Sequence, residues 1–356
     1  MRALDRHRRG QSGGLGGLGG LGGLGGLGGL GGLGRLGDLA SVVALGLGAV
    51  VFWHQRILAT AAGEPFEPQA GMGDLFTYSA PMLASAADSV RSGALPLWNP
   101  FVANGHPQLA SVAGGALYPF HAIALLLPTL AALEVIAIIH LALAAGFSFG
   151  FGRALGLARI PAMGAGIAYV SSGFVVGQAT WFPPALEACV WLPLALWCVE
   201  RIVTGGRPAW SVGLGLAMAM PILAGWLQSW LYAAFAVGLY AGASLVALAR
   251  RRRWLECRHI AMQLALGALL AACFAAPQLL PAIELRGLTG YEPGGLSARE
   301  IIGPAGTIPL ARFAFDVLNP APQFMKHHYV GLVPLLLLPV ALLSPMAGRV
   351  RWGVAL

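Results

Sequence analysis

Long apolar runs separated by short polar turns dominate this chain, and they predict an all-α, polytopic integral membrane protein. A spanning helix needs about 20 predominantly apolar residues, and eight runs reach or approach that length. They lie at about 37–56, 131–154, 161–179, 184–203, 210–226, 229–249, 259–282 and 329–346. A shorter apolar segment at 117–127 is predicted to be re-entrant or interfacial.

The first long polar segment contains a predicted amphipathic helix at 79–92, because its apolar residues recur with a helical period. Its apolar stripe consists of Met82, Leu83, Ala86 and Val90. Ser79 is placed to cap this helix, and Gly93 is placed to end it. We expect the helix to lie on the outer membrane surface.

The chain begins with a different kind of sequence. Seven consecutive Gly-Gly-Leu units follow a basic start, within residues 13–34. Glycine loses more backbone entropy on folding than any other residue, and one Leu in three builds no core. Residues 1–36 are therefore predicted to be a disordered cytoplasmic tail, followed by one membrane domain over 37–346 and a short cytoplasmic end at 347–356.

Arginine positions predict the orientation of the domain. Sixteen of the 22 Lys and Arg residues fall on one side of the eight-span arrangement. Short Arg-rich loops stay in the cytoplasm, so both termini are expected inside. The two long polar segments, about 57–130 and 284–328, are then expected outside.

Composition agrees with a membrane protein. The chain is 57% hydrophobic and 10% charged, whereas soluble domains carry about 25% charged residues. The net charge of +8 comes mainly from arginines at the ends of apolar runs, where they contact lipid headgroups. No nucleic-acid-binding pattern occurs, so membrane lipids and not nucleic acids are the expected partners.

Several strings of Pro, Gly and aromatic residues occur in a fixed order around the predicted spans. They are residues 73–78 (GDLFTY), 93–100 (GALPLWNP), 104–107 (NGHP), 115–119 (GALYP), 276–281 (APQLLP) leading to Glu284, and 329–332 (YVGL). This ordered set resembles the YfhO-type family of bacterial membrane proteins. The resemblance covers about 38–346, which is nearly the whole membrane domain.

The resemblance implies a fold like that of the GT-C glycosyltransferases, with a long first extracytoplasmic loop. It implies transfer of a sugar from a polyprenyl-phosphate donor to an envelope glycan or protein acceptor, at the bacterial cytoplasmic membrane. Family members are usually considerably longer, so we expect this chain to be a C-terminally short member.

Two carboxylates are the candidate catalytic residues. Asp74 corresponds to the acidic residue that the GT-C fold carries in its first outer loop, where it acts as a general base or positions substrate. A hydroxyl that attacks an anomeric carbon must lose a proton, and a carboxylate within hydrogen-bonding reach can accept it. Glu187, at the start of the fourth predicted span, is a second acidic group across the cavity or an interfacial residue solvated by headgroups.

Other residues are candidates for contact with substrate, each with packing as the alternative. The candidates other than arginines are Tyr78, Trp98, Asn99, His106, Tyr118 and Gln278. Arg299 and Arg312 are the candidate partners of the donor phosphate, because Arg binds phosphate oxygens in pairs. No Cys/His spacing predicts a zinc site. No cofactor is predicted, although a divalent metal ion is compatible with the carboxylates.

Two other classes of function compete with glycosyl transfer. A transporter or lipid-handling protein would need paired intramembrane charges or inverted repeats, and the sequence displays neither clearly. A non-catalytic, truncated family member is the other alternative. The sugar, the acceptor and the oligomeric state have no signature in the sequence.

Overall fold

A computed structural model of the chain describes residues 27–61, 74–102 and 104–288, and these residues form a helical structure without strands. The α-helices are α1 (Leu27–Ala61), α2 (Ala80–Arg91), α3 (Thr129–Ala154), α4 (Arg159–Val170), α5 (Gly173–Trp181), α6 (Pro183–Cys189), α7 (Leu192–Val203), α8 (Ala209–Leu223), α9 (Leu227–Arg250) and α10 (Trp254–Leu288). A π-helix at Leu75–Ser79 precedes α2, and a 3₁₀ helix at Pro119–Leu125 precedes α3. The predicted all-α class is confirmed for this part of the chain.

Four helices within the described ranges are long and apolar enough to cross a membrane, which makes this a membrane protein. The qualifying segments are Gly34–Val51, Thr129–Ala154, Leu227–Arg250 and Trp254–Leu288. The pair α4 and α5 makes a fifth if it is counted as one span bent by 52°. The predicted number of eight is not confirmed, and the eighth predicted span at 329–346 lies outside the described residues.

Breaks in the helices explain why fewer spans qualify. The predicted span at 161–179 is interrupted at Ser171 and Ser172, where the Ser172 side chain accepts a hydrogen bond from the Val175 amide and caps α5. The predicted span at 184–203 is divided between α6 and α7. A hydropathy profile is averaged over a window of residues that is longer than these breaks, so composition alone does not locate them.

We name the two ends of the bundle by the segments that they hold. The arginine end holds the turns after α3 and α7, and there Arg153 and Arg159 both pair with Asp38 of α1, at 3.3 and 3.0 Å. The first-loop end holds the long connection between α1 and α3. Close helix packing needs small residues, and a Cβ added at Gly215 of α8 would lie 2.7 Å from the Leu270 side chain of α10.

The helix α1 begins at Leu27, so the last ten residues of the predicted disordered tail are helical. Once the apolar segment is helical, each further residue adds a hydrogen bond without a new nucleus. Arg159 also donates to the carbonyl of Gly34, at 3.0 Å. Residues 1–26 lie outside the described part of the chain.

The amphipathic helix predicted at 79–92 is present as α2 and ends at Gly93, whose φ is +82°. Ser79 makes no capping hydrogen bond, because the preceding π-helix already supplies carbonyl partners to the first amides of α2. Met82, Leu83 and Ala86 are buried, and they pack against the 3₁₀ helix and α3. Three of the four stripe residues thus face protein, which corrects the expectation that the whole stripe lies on the membrane, whereas Val90 is 43% exposed.

Candidate functional site

A narrow cleft lies at the first-loop end, where the π-helix and α2 meet α6. Its polar lining is formed by Tyr78, Ser79, His121 and Glu187, and Met82 and Leu83 contribute to its apolar wall. The cleft has room for about one water molecule.

Glu187 is the central acidic group of this cleft and is only 1% exposed. It lies on α6, which begins with Pro183 and Pro184, residues that suit a first helical turn. Its Oε2 is 3.0 Å from Nε2 of His121, and Nδ1 of His121 is 2.8 Å from the Gly115 carbonyl oxygen. The first loop and α6 are therefore joined through one imidazole ring.

The contacts of His121 define its protonation. Its Nδ1–H donates to Gly115, so a hydrogen bond to a Glu187 carboxylate requires a proton on Nε2 as well. Burial alone would lower the pKa of His121, but the Glu187 carboxylate and the Gly115 carbonyl together raise it above its ordinary value of 6.5. When Glu187 is ionised, the pair is an imidazolium beside a carboxylate, and each charge then offsets the cost of burying the other.

Two buried oxygens at the cleft have no hydrogen-bond partner among the described residues: Oε1 of Glu187 and Oγ of Ser79. Buried polar groups are nearly always paired, and an unpaired one costs about 1–3 kcal/mol. Both residues line the same cleft. The cleft therefore offers one charged acceptor and one hydroxyl to a polar molecule that enters it.

A second set of hydrogen bonds, centred on the Tyr118 hydroxyl, attaches the first loop to the helix bundle. Its hydroxyl is bonded to Nε2 of His140 on α3, lies 3.0 Å from Nε1 of Trp191, and lies 3.4 Å from the backbone oxygen of Glu187. Burial, and then the Glu187 carboxylate, raise the pKa of Tyr118 well above its ordinary value, so the hydroxyl stays protonated. His140 donates from Nδ1 to the Ile136 carbonyl and thus accepts from Tyr118 at Nε2.

The loop segment before Tyr118 is packed tightly against the ends of two helices. Gln278 of α10 donates from Nε2 to the Val112 carbonyl at 2.9 Å. Gly225, which follows α8, has a φ of +92°, and a Cβ there would lie 2.6 Å from the same carbonyl oxygen. These contacts fix residues 112–115, which carry both the cleft wall and the carbonyl that orients His121.

The structure brings four of the predicted site residues to this region. Glu187 and Tyr78 line the cleft, the Tyr118 hydroxyl lies 3.4 Å from the backbone oxygen of Glu187, and Gln278 bonds to Val112 beside the cleft wall. Asp74 is exposed, caps no backbone amide of the π-helix that follows it, and lies four residues before Tyr78.

Three other predicted residues form a separate turn in the first loop. Asn99 and His106 exchange both backbone hydrogen bonds, at 2.7 and 2.8 Å. The Asn99 side chain is buried and accepts from the Phe101 amide at 3.0 Å. Trp98 packs over Gly105, where a Cβ would lie 2.4 Å from its ring. These contacts give Trp98, Asn99 and His106 a role in folding the loop. Arg299 and Arg312 lie outside the described residues.

Sequence reasoning did not pair His121 with Glu187 and did not place Ser79 in a cleft. One signal was present: His121 follows Tyr118 by three residues, and side chains with this spacing eclipse on a 3₁₀ helix. The position of Ser79 before α2 suggested that its hydroxyl caps a backbone amide of that helix, but the hydroxyl lines the cleft instead. A third missed residue is Gln108, which is buried and donates to the Met82 carbonyl at 2.7 Å.

Metal ligation has no obvious place at the site. Within residues 27–61, 74–102 and 104–288, no group of three His, Cys, Asp or Glu side chains is arranged to hold a metal ion. The donor set at the cleft is one carboxylate and one imidazole that is already bonded on both nitrogens. These residues do not fit a metal ion without rearrangement.

Comparisons of the chain with protein-family models, with curated proteins and with solved structures give no match.

Proposed function

We propose that this protein is a membrane glycosyltransferase of the GT-C-like kind, which moves a sugar from a polyprenyl-phosphate donor to an extracytoplasmic acceptor. The observation that carries this proposal is the convergence at one cleft of segments from several of the family-like strings. Tyr78, Tyr118 and Gln278 belong to three different strings: Tyr78 lines the cleft, Tyr118 lies 3.4 Å from the Glu187 backbone oxygen, and Gln278 bonds to Val112 beside the cleft wall.

Glu187 is the group that we assign to proton transfer. The acceptor oxygen attacks the anomeric carbon, the bond from that carbon to the phosphate oxygen breaks, and polyprenyl phosphate leaves with the electron pair. The hydroxyl proton passes to Oε1 of Glu187, which has no protein partner among the described residues and lines the cleft. Attack from the face opposite the leaving group inverts the anomeric configuration.

His121 and Ser79 complete this arrangement. The imidazolium of His121 holds Oε2 of Glu187 and leaves Oε1 directed to the reaction. Ser79 offers its hydroxyl to the acceptor from the other side of the cleft. Since the cleft admits about one water molecule, the acceptor hydroxyl takes that place while its ring stays at the mouth.

The donor phosphate binds elsewhere in this proposal. The described lining of the cleft contains no Lys or Arg, and a carboxylate repels phosphate. We therefore keep Arg299 and Arg312 as the proposed phosphate partners. Asp74, exposed at the start of the π-helix, is the alternative base that the family resemblance favours.

We propose the bacterial cytoplasmic membrane as the location, with both termini inside and the first-loop end outside. The clustering of arginines at the opposite end supports this orientation. An impermeant thiol reagent should label Asp88→Cys in intact cells and should label Arg207→Cys only after lysis. The reverse pattern would invert the orientation.

Transfer of radiolabelled sugar from a polyprenyl-phosphate donor in isolated membranes tests the function. Glu187→Gln should lower the rate by roughly 10²–10⁴, the usual contribution of a general base. Asp88→Asn is the matched control, because Asp88 is an exposed loop carboxylate that pairs with Arg91. Its rate should equal that of the unaltered protein.

The remaining outcomes are also decisive. A loss with Asp74→Asn and none with Glu187→Gln would return the base to Asp74. An equal loss of transfer rate in Glu187→Gln, Asp74→Asn and Asp88→Asn would mean that transfer depends on negative charge in general and not on proton transfer to one carboxylate. No transfer by the unaltered protein from any polyprenyl-phosphate sugar would reject the proposal and favour the non-catalytic or transport alternatives.

A further inference from the structure

The tip of the first loop displays large apolar side chains in a segment without formal charges. Phe101 is 87% exposed and Leu95 is 69% exposed, and Trp98 and Leu97 are more than half exposed. No Asp, Glu, Lys or Arg occurs between Arg91 and Glu134. A loop that faces water is normally polar, so this surface calls for an apolar environment.

The backbone of the tip is adapted to a place with little water. Amides of six residues between Ala94 and His106 donate to oxygens of the protein: Ala94, Leu97, Asn99, Phe101, Gly105 and His106. Pro96 and Pro100 have no amide hydrogen to satisfy. Irregular backbone is expensive in lipid because its polar groups lack partners, and this turn removes much of that expense.

The tip is also held rigidly. The exchange of hydrogen bonds between Asn99 and His106 closes the turn, and the buried Asn99 side chain fixes the amide of Phe101. Outward display of Phe101 and Leu95 is therefore built into the backbone. Three of the four apolar stripe residues of α2, in contrast, are already buried against protein.

We propose that this turn, residues 94–102, docks in the headgroup and upper acyl region of the membrane leaflet at the first-loop end. Trp98 supplies the amphipathic ring that is typical of this depth, and Phe101 and Leu95 supply the apolar contacts below it. The occupant is a lipid surface because the first loop connects α1 and α3, and both contain candidate membrane spans. The absence of charge makes the contact independent of headgroup charge.

Photo-crosslinking tests this proposal in the full chain reconstituted into vesicles. A photoreactive p-benzoyl-phenylalanine replaces Phe101 or, in a second variant, Leu95. The control carries it at Asp88, whose side chain is 73% exposed on α2 of the same loop. Each variant is first checked for an unchanged thermal transition, which is expected because all three side chains are exposed.

Mass spectrometry of the irradiated protein should find phospholipid adducts at positions 101 and 95, several-fold above those at position 88. The yield should be the same in phosphatidylcholine vesicles as in vesicles with phosphatidylglycerol, and high salt should not reduce it. An adduct with another segment of the chain would overturn the proposal, because protein would then cover the turn. It would also be overturned by equal lipid adducts at position 88, by adducts that need an anionic lipid, or by no adduct.

Discussion

Two buried glutamates, thirteen residues apart in the sequence, occupy different surroundings. Glu187 at the first-loop end lines a cleft, pairs with His121 and keeps one oxygen without a partner among the described residues. Glu200 on α7, near the arginine end, accepts from the Tyr240 hydroxyl at 2.8 Å inside an apolar cluster. Burial of a carboxylate is thus insufficient to mark a functional site, and access to a cleft makes the difference.

The largest expected effect separates these two carboxylates by activity. If Glu187 is the proton acceptor that we propose, Glu187→Gln should lower glycosyl transfer by roughly 10²–10⁴. Glu200→Gln should leave transfer within about a factor of three, because an amide oxygen can still accept from Tyr240 and the cleft is untouched. The measurement is the glycosyl-transfer rate of each variant in isolated membranes, normalised to the amount of protein. A large loss with Glu200→Gln would remove the distinction between the regions.

Packing at the first-loop end can be tested with glycines of similar backbone conformation. Gly225→Ala places a Cβ against the Val112 carbonyl, whereas Gly156, with a φ of +93°, has no atom within 4 Å of that position. Both variants carry the strain of a left-handed residue, about 1–2 kcal/mol. Gly225→Ala should lose roughly 1–3 kcal/mol more from overpacking. Thermal unfolding in detergent measures the difference, and equal losses would show that the loop yields freely.

Removal of one hydroxyl in each region gives a smaller effect. Tyr118→Phe leaves His140 and Trp191 without their partner, and Tyr240→Phe leaves Glu200 with one donor fewer. Each should cost about 1–2 kcal/mol of unfolding free energy, as buried hydrogen bonds in membrane proteins do at their upper range. Transfer should fall only with Tyr118→Phe, since the bonds of Tyr118 to His140 and Trp191 hold the first loop beside the cleft. Parallel measurements of unfolding and transfer check this, and an equal fall in transfer would contradict it.

The smallest effect is a dependence of stability on pH that belongs to the His121 and Glu187 pair. Because the folded protein raises the pKa of His121 above 6.5, the stabilisation from its proton is complete below 6.5. It is lost as the pH rises through the folded pKa. The melting temperature should therefore decline over this range, and the decline should be shallower in Glu187→Gln, which lacks the carboxylate. An unchanged decline in that variant would assign the effect to another group.

Sequence patterns predicted the helices far better than the contacts between them. The apolar runs at 131–154 and 229–249 became α3 and α9 with small shifts, because burial in lipid or protein makes the same demand on every residue of a run. The break between α6 and α7 depends on local packing around Val190 and Trp191, which no periodicity encodes. His121 and Glu187 are 66 residues apart, and only the folded path of the first loop brings them together.

The candidate site was predicted in the same way: some of its residues could be named from the sequence, but their contacts could not. Glu187 stood out because an ionisable group at membrane depth needs a partner, and Tyr118 stood out because it belongs to one of the family-like strings. Asp74 was chosen through family resemblance and Arg299 for its ability to bind a donor phosphate, and residue type alone gave no geometry for either. Ser79 escaped notice because a serine before a helix has an ordinary explanation as a cap. The structure assigns it otherwise through the π-helix at Leu75–Ser79.

Because of that π-helix, the number of residues between Asp74 and α2 determines the direction in which Asp74 faces. A π turn contains more residues than an α turn, and each residue turns a helix by about 100°. A one-residue deletion within Leu75–Ser79 would convert the π-helix to an ordinary α-helix while α2 keeps its packing position. Asp74 would then swing to a different azimuth around the axis. Length at this point is therefore less tolerant of variation than composition, and an insertion or deletion here should be selected against more strongly than a substitution.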